Sequence, residues 1–457
     1  MSTVGDTPTR ERDPRERIER VQGLIARRDR TALAAFVAEF HPSDVADILE
    51  ALDEPERLYL LELLPAELAS ESLAEMESGE RPEEILASLD PVRIGELVGQ
   101  LSDDDAVDLI QELEPDEQAR VLAALPGIEA GELRKLLQYP DDSAGGIMTT
   151  ELVAVSVHLT AGEAIEAVRR QARELGSEFY TVFVVDYFRR LRGTISLHDL
   201  VLAEPSTRLE ELVEPPIATV PVDLDQEEVG RIIARYNLPS IGVVGPDNIL
   251  LGRITWDDVM DVIEAEQTED LLRLAGTTAD EELRGGWLET VRSRLPWLGL
   301  NLITAGVAAS VVVLFADTIE AMALLAAIMP VIAGMGGNAG TQALAVTVRR
   351  LALADEPGGR WGVVGKEMLV GLFNGLVLGV VIGALSFIWQ GSAMLGVVVL
   401  LAMWGNLVVA SVAGAFVPTL LESVGVDPAV ASSVFVTAFT DIAGFFLLLG
   451  LASVILL

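Results

Sequence analysis

Five apolar stretches near the C-terminal end limit what this chain can fold into more than any other feature. They cover roughly 295–315, 319–348, 363–389, 393–421 and 429–457. Each is long enough to cross a hydrocarbon core of about 30 Å as a helix. Residues 291–457 hold eight acidic and six basic side chains, so 62 of the 70 acidic and 26 of the 32 basic residues precede them. The net charge is −36 before residue 291 and −2 from there on, out of a total of −38. One half is built for water and the other for lipid. Arg292 and Arg294 precede the first stretch, and Arg349, Arg350, Arg360 and Lys366 surround the connection between the second and third, whereas the loops after the first and third carry no cation. The positive-inside rule then places the N-terminus in the cytosol and, with five crossings, the C-terminus outside. The expectation is a multi-pass protein of the cell (inner) membrane.

Composition removes several classes of function. Cysteine is absent, which excludes disulfides and thiolate chemistry. His41, His158 and His198 are scattered through the polar half, so an imidazole metal site is not expected. Arg10, Arg12, Arg15 and Arg17 have no apolar run behind them and do not form a signal peptide. The carboxylate surplus argues against nucleic acid as a partner and suits hard cations that take oxygen ligands. No nucleophile–base set or phosphate-binding loop is present, so the chain is not read as an enzyme.

Two polar features interrupt the lipid half. Asp441 lies inside the last stretch, in the run TAFTDIAG, and the one lysine, arginine or histidine within the five stretches is Lys366, at the very start of the third. A carboxylate at that depth usually faces an ion path or a partner. The second stretch carries GMGGNAGTQ at 334–342, which sets Asn338, Thr341 and Gln342 among four glycines. Small residues permit close helix contact. Amide, hydroxyl and freed carbonyl oxygens in one short run also suit a hydrated cation.

The polar half has its own organisation. Within 31–139, DVADILEALDEPERLYLLELLP from Asp44 and DAVDLIQELEPDEQARVLAALP from Asp105 are two similar helical pairs, pointing to a small solenoid-like stack. Asp104 and Asp108 are four apart and share a helix face. Residues 140–267 contain two strand-rich units ending in Gly193-x-x-Ser196-x-x-Asp199 and Gly252-x-x-Thr255-x-x-Asp258. This duplicated ending resembles a tandem CBS pair, in which the hydroxyl and carboxylate can hold a nucleotide ribose. The same residues can simply cap the following helix. An acidic helix follows and leads toward RLPWL at 294–298.

Together these features resemble the MgtE family of magnesium channels and transporters over nearly the whole chain after the N-terminal tail. The specific motifs are SAGGIMT at 143–149, EAEQTEDLLRLAG at 264–276, RLPWL, GGNAGTQ at 336–342, and GVDPA at 425–429 followed by Asp441. The resemblance implies a multidomain α and α+β chain: a flexible tail (1–30), a helical-repeat N domain (31–139), two CBS units (140–205 and 206–268), a linking helix (269–293) and a five-helix transmembrane domain (294–457). It implies a homodimer in the lipid bilayer whose pore holds hydrated magnesium at Asp441, beside Asn338, Thr341 and Gln342. Magnesium is also the expected regulator. The matching cytosolic positions are Asp47, Asp104 and Asp108 in the N domain, and Glu227, the Ala234 carbonyl and Asp258 in the CBS pair. Asp261, Glu266, Glu269, Asp270 and Asp427 complete the set. ATP or another adenine nucleotide is left open as a ligand of the CBS pair through Ser196, Asp199, Thr255 and Asp258. Two positions depart from the family pattern. Asn237 stands where some members carry a carboxylate, and Ser433-Val434 replace an Asn-Pro or Gly-Pro before the pore aspartate. The expected mechanism is feedback, with cytosolic magnesium relieving carboxylate repulsion and closing the pore. Its rivals are a proton- or ion-coupled carrier of manganese or cobalt and a membrane-anchored sensor.

Overall fold

The computed structural model describes residues 14–76, 80–175, 179–277, 287–352, 360–430 and 433–457. Residues 1–13 of the tail and 278–286 of the expected linker lie outside the described residues. The chain divides into two units, Met1–Ala265 and Glu266–Leu457.

Among the described residues the first unit opens with ten short helices, α1 (Pro14–Ala26) to α10 (Glu129–Leu136). The repeated sequence pairs become α3 (Pro42–Glu50) with α4 (Glu54–Leu63), and α8 (Asp103–Gln111) with α9 (Pro115–Ala124). Proline sits in the first turn of all but α8, where its missing N–H has no bond to lose. Asp53 caps α4 by accepting from Glu56 N at 3.0 Å. Each helix is too short to be stable alone, so burial holds the stack together. Leu33, Leu49, Leu60, Leu73, Leu97 and Ile110 form its solvent-free centre. Residues 14–26, expected within a flexible tail, are instead helical. Val21 is fully buried, and Ile18 and Leu24 pack on the same core, so the helix has an apolar face to hide.

The CBS units share one topology. In the first, β1 (Ala154–Ser156) runs parallel to β2 (Thr181–Val185), which pairs antiparallel with β3 (Leu191–Ser196); α11 (Ala161–Leu175) connects β1 to β2, and α12 (Leu197–Leu202) follows β3. After α13 (Leu209–Leu212), the second unit repeats this with β4 (Thr219–Pro221), α14 (Gln226–Tyr236), β5 (Ser240–Val244), β6 (Leu250–Thr255) and α15 (Trp256–Ala275). Both β2 and β5 carry a register shift at the same place, at Val184/Val185 and Val243/Val244. The SAGGIMT segment joins the second unit: Ala144 and Gly145 donate to the Leu224 and Val222 carbonyls, and Thr149 pairs with Arg253. Gly145 is required by this crossing, since a Cβ there would lie 2.7 Å from Val222 Cγ2, and Gly146 by the turn before it, where a Cβ would lie 2.3 Å from the Pro140 carbonyl oxygen.

The second unit holds α16 (Trp287–Leu314), α17 (Ala316–Ala321), α18 (Leu324–Ala352), α19 (Arg360–Gln390), α20 (Ala393–Ser423) and α21 (Ser433–Ile455). Five of these are long and apolar enough to cross a membrane: Thr290–Leu314, Leu324–Leu351, Trp361–Gln390, Ala393–Ser423 and Val434–Ile455. The second crossing begins later than the hydropathy pattern indicated. Residues 316–321 form a separate helix carrying Asp317 and Glu320, and the chain breaks at Met322 before α18 begins. The glycine-rich run 334–342 also differs from expectation. It stays helical throughout, so no backbone carbonyls are freed there. In hydrocarbon, no water competes for the backbone, and glycine gives up little by staying in the helix.

α19 and α20 pack through a glycine row. A Cβ on Gly371, Gly375, Gly379 or Gly383 would meet an α20 carbonyl oxygen at 2.9, 2.9, 2.8 and 2.6 Å respectively. Lipid supplies no hydrophobic drive between helices, so such close backbone contact supplies the dispersion energy instead. Trp404 Nε1 adds a bond to the Leu372 carbonyl at 3.0 Å. Gly379→Val should therefore cost about 1–3 kcal/mol through overpacking and lower the melting temperature of the detergent-solubilised chain. Gly299→Val, where nothing lies within 4 Å, should leave it unchanged. Equal melting temperatures for the two variants would rule out the glycine row as a stability determinant.

Candidate functional site

In the second unit α18 and α21 meet through glycine. A Cβ on Gly340 would lie 2.4 Å from Val436 Cγ1, and one on Gly336 would lie 3.2 Å from Thr440 Cβ. Thr440 is fully buried and returns its hydroxyl to the Thr437 carbonyl at 2.9 Å. The next residue, Asp441, is only half-buried. On α18 the buried glycines turn the opposite side outward. Gly334, Asn338, Thr341 and Ala345 recur at the spacing of one helix face, and all are exposed, as is Gln342. An amide, a hydroxyl and a second amide thus lie on an outer surface of a membrane unit, where hydrocarbon could not satisfy them. Among the described residues, no three His, Cys, Asp or Glu side chains converge to hold a metal ion. One carboxylate beside neutral oxygens suits an ion that keeps its water.

The first unit gathers a different group. Asp104, Asp105 and Asp108 of α8 face Asp258 of α15, with Asp261, Asp257 and Glu75 around them. Asp104 is 8% exposed and one of its oxygens, Oδ1, has no hydrogen-bond partner among the described residues. Burial, reinforced by the Asp258 charge, pushes its carboxyl well above the usual aspartate range. Burial also raises Asp258, against the bonds it accepts from Thr255. Asp105 is raised by burial despite the 2.6 Å bond from Ser102 Oγ. Asp108 and Asp261 are raised for the same reason but sit at the wet rim, where solvent screens them. Arg253, 4% exposed, is the cation these acids face. Asp47 is exposed on α3. Glu75, held by Ser43 Oγ at 2.7 Å, stands in the cluster without any signal in the sequence.

Glu227 and Ala234 do not converge. They are seven residues apart on α14, about 10 Å along its axis, and Glu227 pairs with Arg231 at 3.4 Å. Asn237 ends this helix in the left-handed conformation, φ 51°, a position asparagine tolerates well.

A third acidic group lies at the start of the second unit. Glu266, Glu269 and Asp270 of α15 stand with Asp427, and Arg273 bridges Glu269 and Asp427. Burial raises the Glu269 and Asp270 carboxyls, with Asp427 adding to both and Arg273 opposing. Asp427 also caps its own turn, accepting from Ala429 N at 2.8 Å.

The two CBS motif copies are used differently. Ser196 caps α12, accepting from Asp199 N at 3.0 Å, and the pair lines a cleft of about 880 Å³ with Tyr180, Phe183, Pro239 and Gly242. In the second copy Thr255 N instead donates to the Asp258 carboxylate at 3.1 Å, and Asp258 faces Asp104 of α8. The four residues expected at a nucleotide therefore divide between a cleft and a carboxylate cluster.

Residues 329–451 match the family model MgtE, described as a divalent cation transporter; 40–142 match the MgtE intracellular N domain, and 144–206 and 209–265 match CBS domains. The chain is 35% identical to the magnesium transporter MgtE of Thermus thermophilus, covering 95% of this chain and 98% of the relative. It is 37% identical to the magnesium transporter MgtE of Enterococcus faecalis, covering 71% and 72%. The crystal structure of the cytosolic domain of the Mg2+ channel MgtE in complex with ATP is 35% identical, with a TM-score of 0.51, covering 54% of this chain and 99% of that one.

The raised carboxyls give the fold a pH dependence with a defined sign. Asp104 keeps its proton to higher pH when folded than when unfolded, so the folded state binds more protons above the ordinary aspartate range. Stability is then greatest below that range and falls as pH rises toward neutrality. In metal-free buffer the melting temperature should drop between about pH 5 and pH 8. Asp104→Asn should raise it by about 2–4 °C at the upper end and flatten the profile. A profile unchanged by the substitution would mean that Asp104 does not set the dependence.

Proposed function

Because the chain belongs to the MgtE family, we propose that it carries magnesium ions across the membrane as a homodimer, and that magnesium bound on the cytosolic side closes it. The observation that carries this reading is the exposed face of Asn338, Thr341 and Gln342 on α18, next to the α21 helix that bears Asp441. Turned to lipid, these groups would be left unsatisfied. Turned to the same face of a second copy across a wet path, they are not. Magnesium sheds its water reluctantly, so Asp441 supplies the negative charge while Asn338, Thr341 and Gln342 hydrogen-bond the ion's water. Both relatives described above are named as magnesium transporters.

The acidic clusters supply the regulation. With little cytosolic magnesium, Asp104, Asp108, Asp258 and Asp261 repel one another across α8 and α15. A divalent ion removes that repulsion and favours the compact state, in proportion to its preference for that state. Glu266, Glu269, Asp270 and Asp427 form the second regulatory group, with Arg273 already holding part of it by charge. Asp47, Glu227 and the Ala234 carbonyl take magnesium through water or together with groups from the second copy. The N-terminus lies in the cytosol and the C-terminus outside. The cleft beside Ser196 and Asp199 takes an adenine nucleotide such as ATP, a reading supported by its size and by the ATP complex of a relative's cytosolic domain.

In proteoliposomes with low magnesium on the cytosolic side, magnesium influx is expected and Asp441→Ala should abolish it. Absence of influx in the unmodified protein would overturn the transport reading. Asp104→Asn together with Asp258→Asn should raise the cytosolic magnesium needed for half-inhibition by about tenfold while open-state influx is kept. Unchanged inhibition would remove this cluster from the gate.

A further inference from the structure

Asn406 sits in the middle of α20, a helix of 31 residues that is otherwise almost wholly apolar there, and it is fully buried. Its Nδ2 donates to the Ile332 carbonyl of α18 at 2.9 Å. The same nitrogen occupies the space left by two glycines on two other helices. A Cβ on Gly336 of α18 would lie 2.3 Å from it, and a Cβ on Gly444 of α21 would lie 2.9 Å from it. Asn406 therefore fills a three-helix junction, two residues before Asn338 on one side and three residues after Asp441 on the other.

The energetics are unusual for a packing residue. Asn406 Oδ1 is buried and has no hydrogen-bond partner among the described residues. An amide oxygen stranded in this way is unfavourable, and a leucine of similar size would fill the space without stranding anything. The Ile332 carbonyl is also the ordinary helical acceptor for Gly336 N–H, so it does not depend on the extra bond. What the side-chain bond does fix is rotation. Gly336 and Asn338 are two apart, on nearly opposite sides of α18. A bond that pins the Gly336 side to α20 and α21 keeps Asn338 directed outward.

We infer that Asn406 is a positioning residue for ion passage, fixing from behind the rotation of the Asn338 helix against the Asp441 helix. The inference rests on the reading of Asn338 and Asp441 as groups on the ion path. It does not give Asn406 contact with the ion.

The test uses the full-length protein, measuring melting temperature in detergent and magnesium and calcium influx in proteoliposomes. Asn406→Leu should melt at or above the temperature of the unmodified protein, because a stranded polar atom has been removed. Its magnesium influx should nevertheless fall about tenfold, with a comparable loss of discrimination against calcium. A lower melting temperature with normal influx and discrimination would make Asn406 a packing residue and overturn the inference. Should Asn406→Leu not assemble, Gly336→Ala reads the same contact from the other side, since its methyl group displaces Asn406. It should lower influx and discrimination when alone, and adding Asn406→Ala, which reopens the space, should restore part of the influx. Strictly additive losses in the double variant would overturn the inference. Asp441→Ala serves as the separate control: full influx in that variant would sink the ion-path reading itself, whatever Asn406 does.

Discussion

Hydrocarbon cannot hydrogen-bond, and most of the second unit follows from that constraint. Every peptide group between Thr290 and Ile455 that lies in lipid must find its partner within the protein, so helices are long and remain helical even across GGNAGTQ. Glycine, a helix breaker in water, becomes the residue that lets one helix touch another. Gly336 and Gly340 admit α21, Gly371 to Gly383 admit α20, and Gly414 admits the Gly340 carbonyl at 2.4 Å from its own would-be Cβ. The close seams also decide where polar groups are left over. With the glycine side of α18 turned inward, its amide and hydroxyl side has nowhere to go but out.

The first unit obeys the opposite constraint. There water is plentiful, and the informative feature is carboxylates that have been taken out of it. Asp104 is held almost dry against Asp258 and Asp105 with Arg253 nearby. A group like this stores repulsion that a proton, or a divalent ion, can release. The acidic patch around Asp427 differs in having Arg273 built into it. There Arg273 bridges Glu269 and Asp427 directly, whereas beside Asp104 the guanidinium is that of the buried Arg253.

Much of this was legible in the sequence, and each failure has its own physical cause. Hydropathy located the five crossings, and the two helical pairs and two CBS units were visible as repeats. Spacing put Asp104 and Asp108 on one helix face and the family resemblance supplied Asp258 and Asp261; the fold sets Asp258 against Asp104 and Asp108. Glu75 and Asp105 were not named, because only tertiary packing carries α5 (Ala66–Ala74) and its C-cap Glu75 to α15. Asn406 was passed over because one amide in a long apolar run has no periodic partner to draw attention to it. Glu227 and Ala234, seven residues apart on α14, came only with the family resemblance, and helix spacing says nothing of which groups stand beside each. The glycine run was expected to open the backbone because glycine's poor helix propensity was measured in water, and propensity loses its force in lipid.

The glycine row between α19 and α20 has a mechanical consequence. Four glycines, each seated against a carbonyl oxygen, form notches one turn apart. Sliding by less than a turn would drive a peptide oxygen into the ridge between notches, and sliding by a whole turn, about 5.4 Å, would unseat one notch at an end. Small, graded travel along this seam is therefore blocked, and the two helices behave as a single strut. Any movement that opens or narrows a path through the membrane unit must then carry α19 and α20 together.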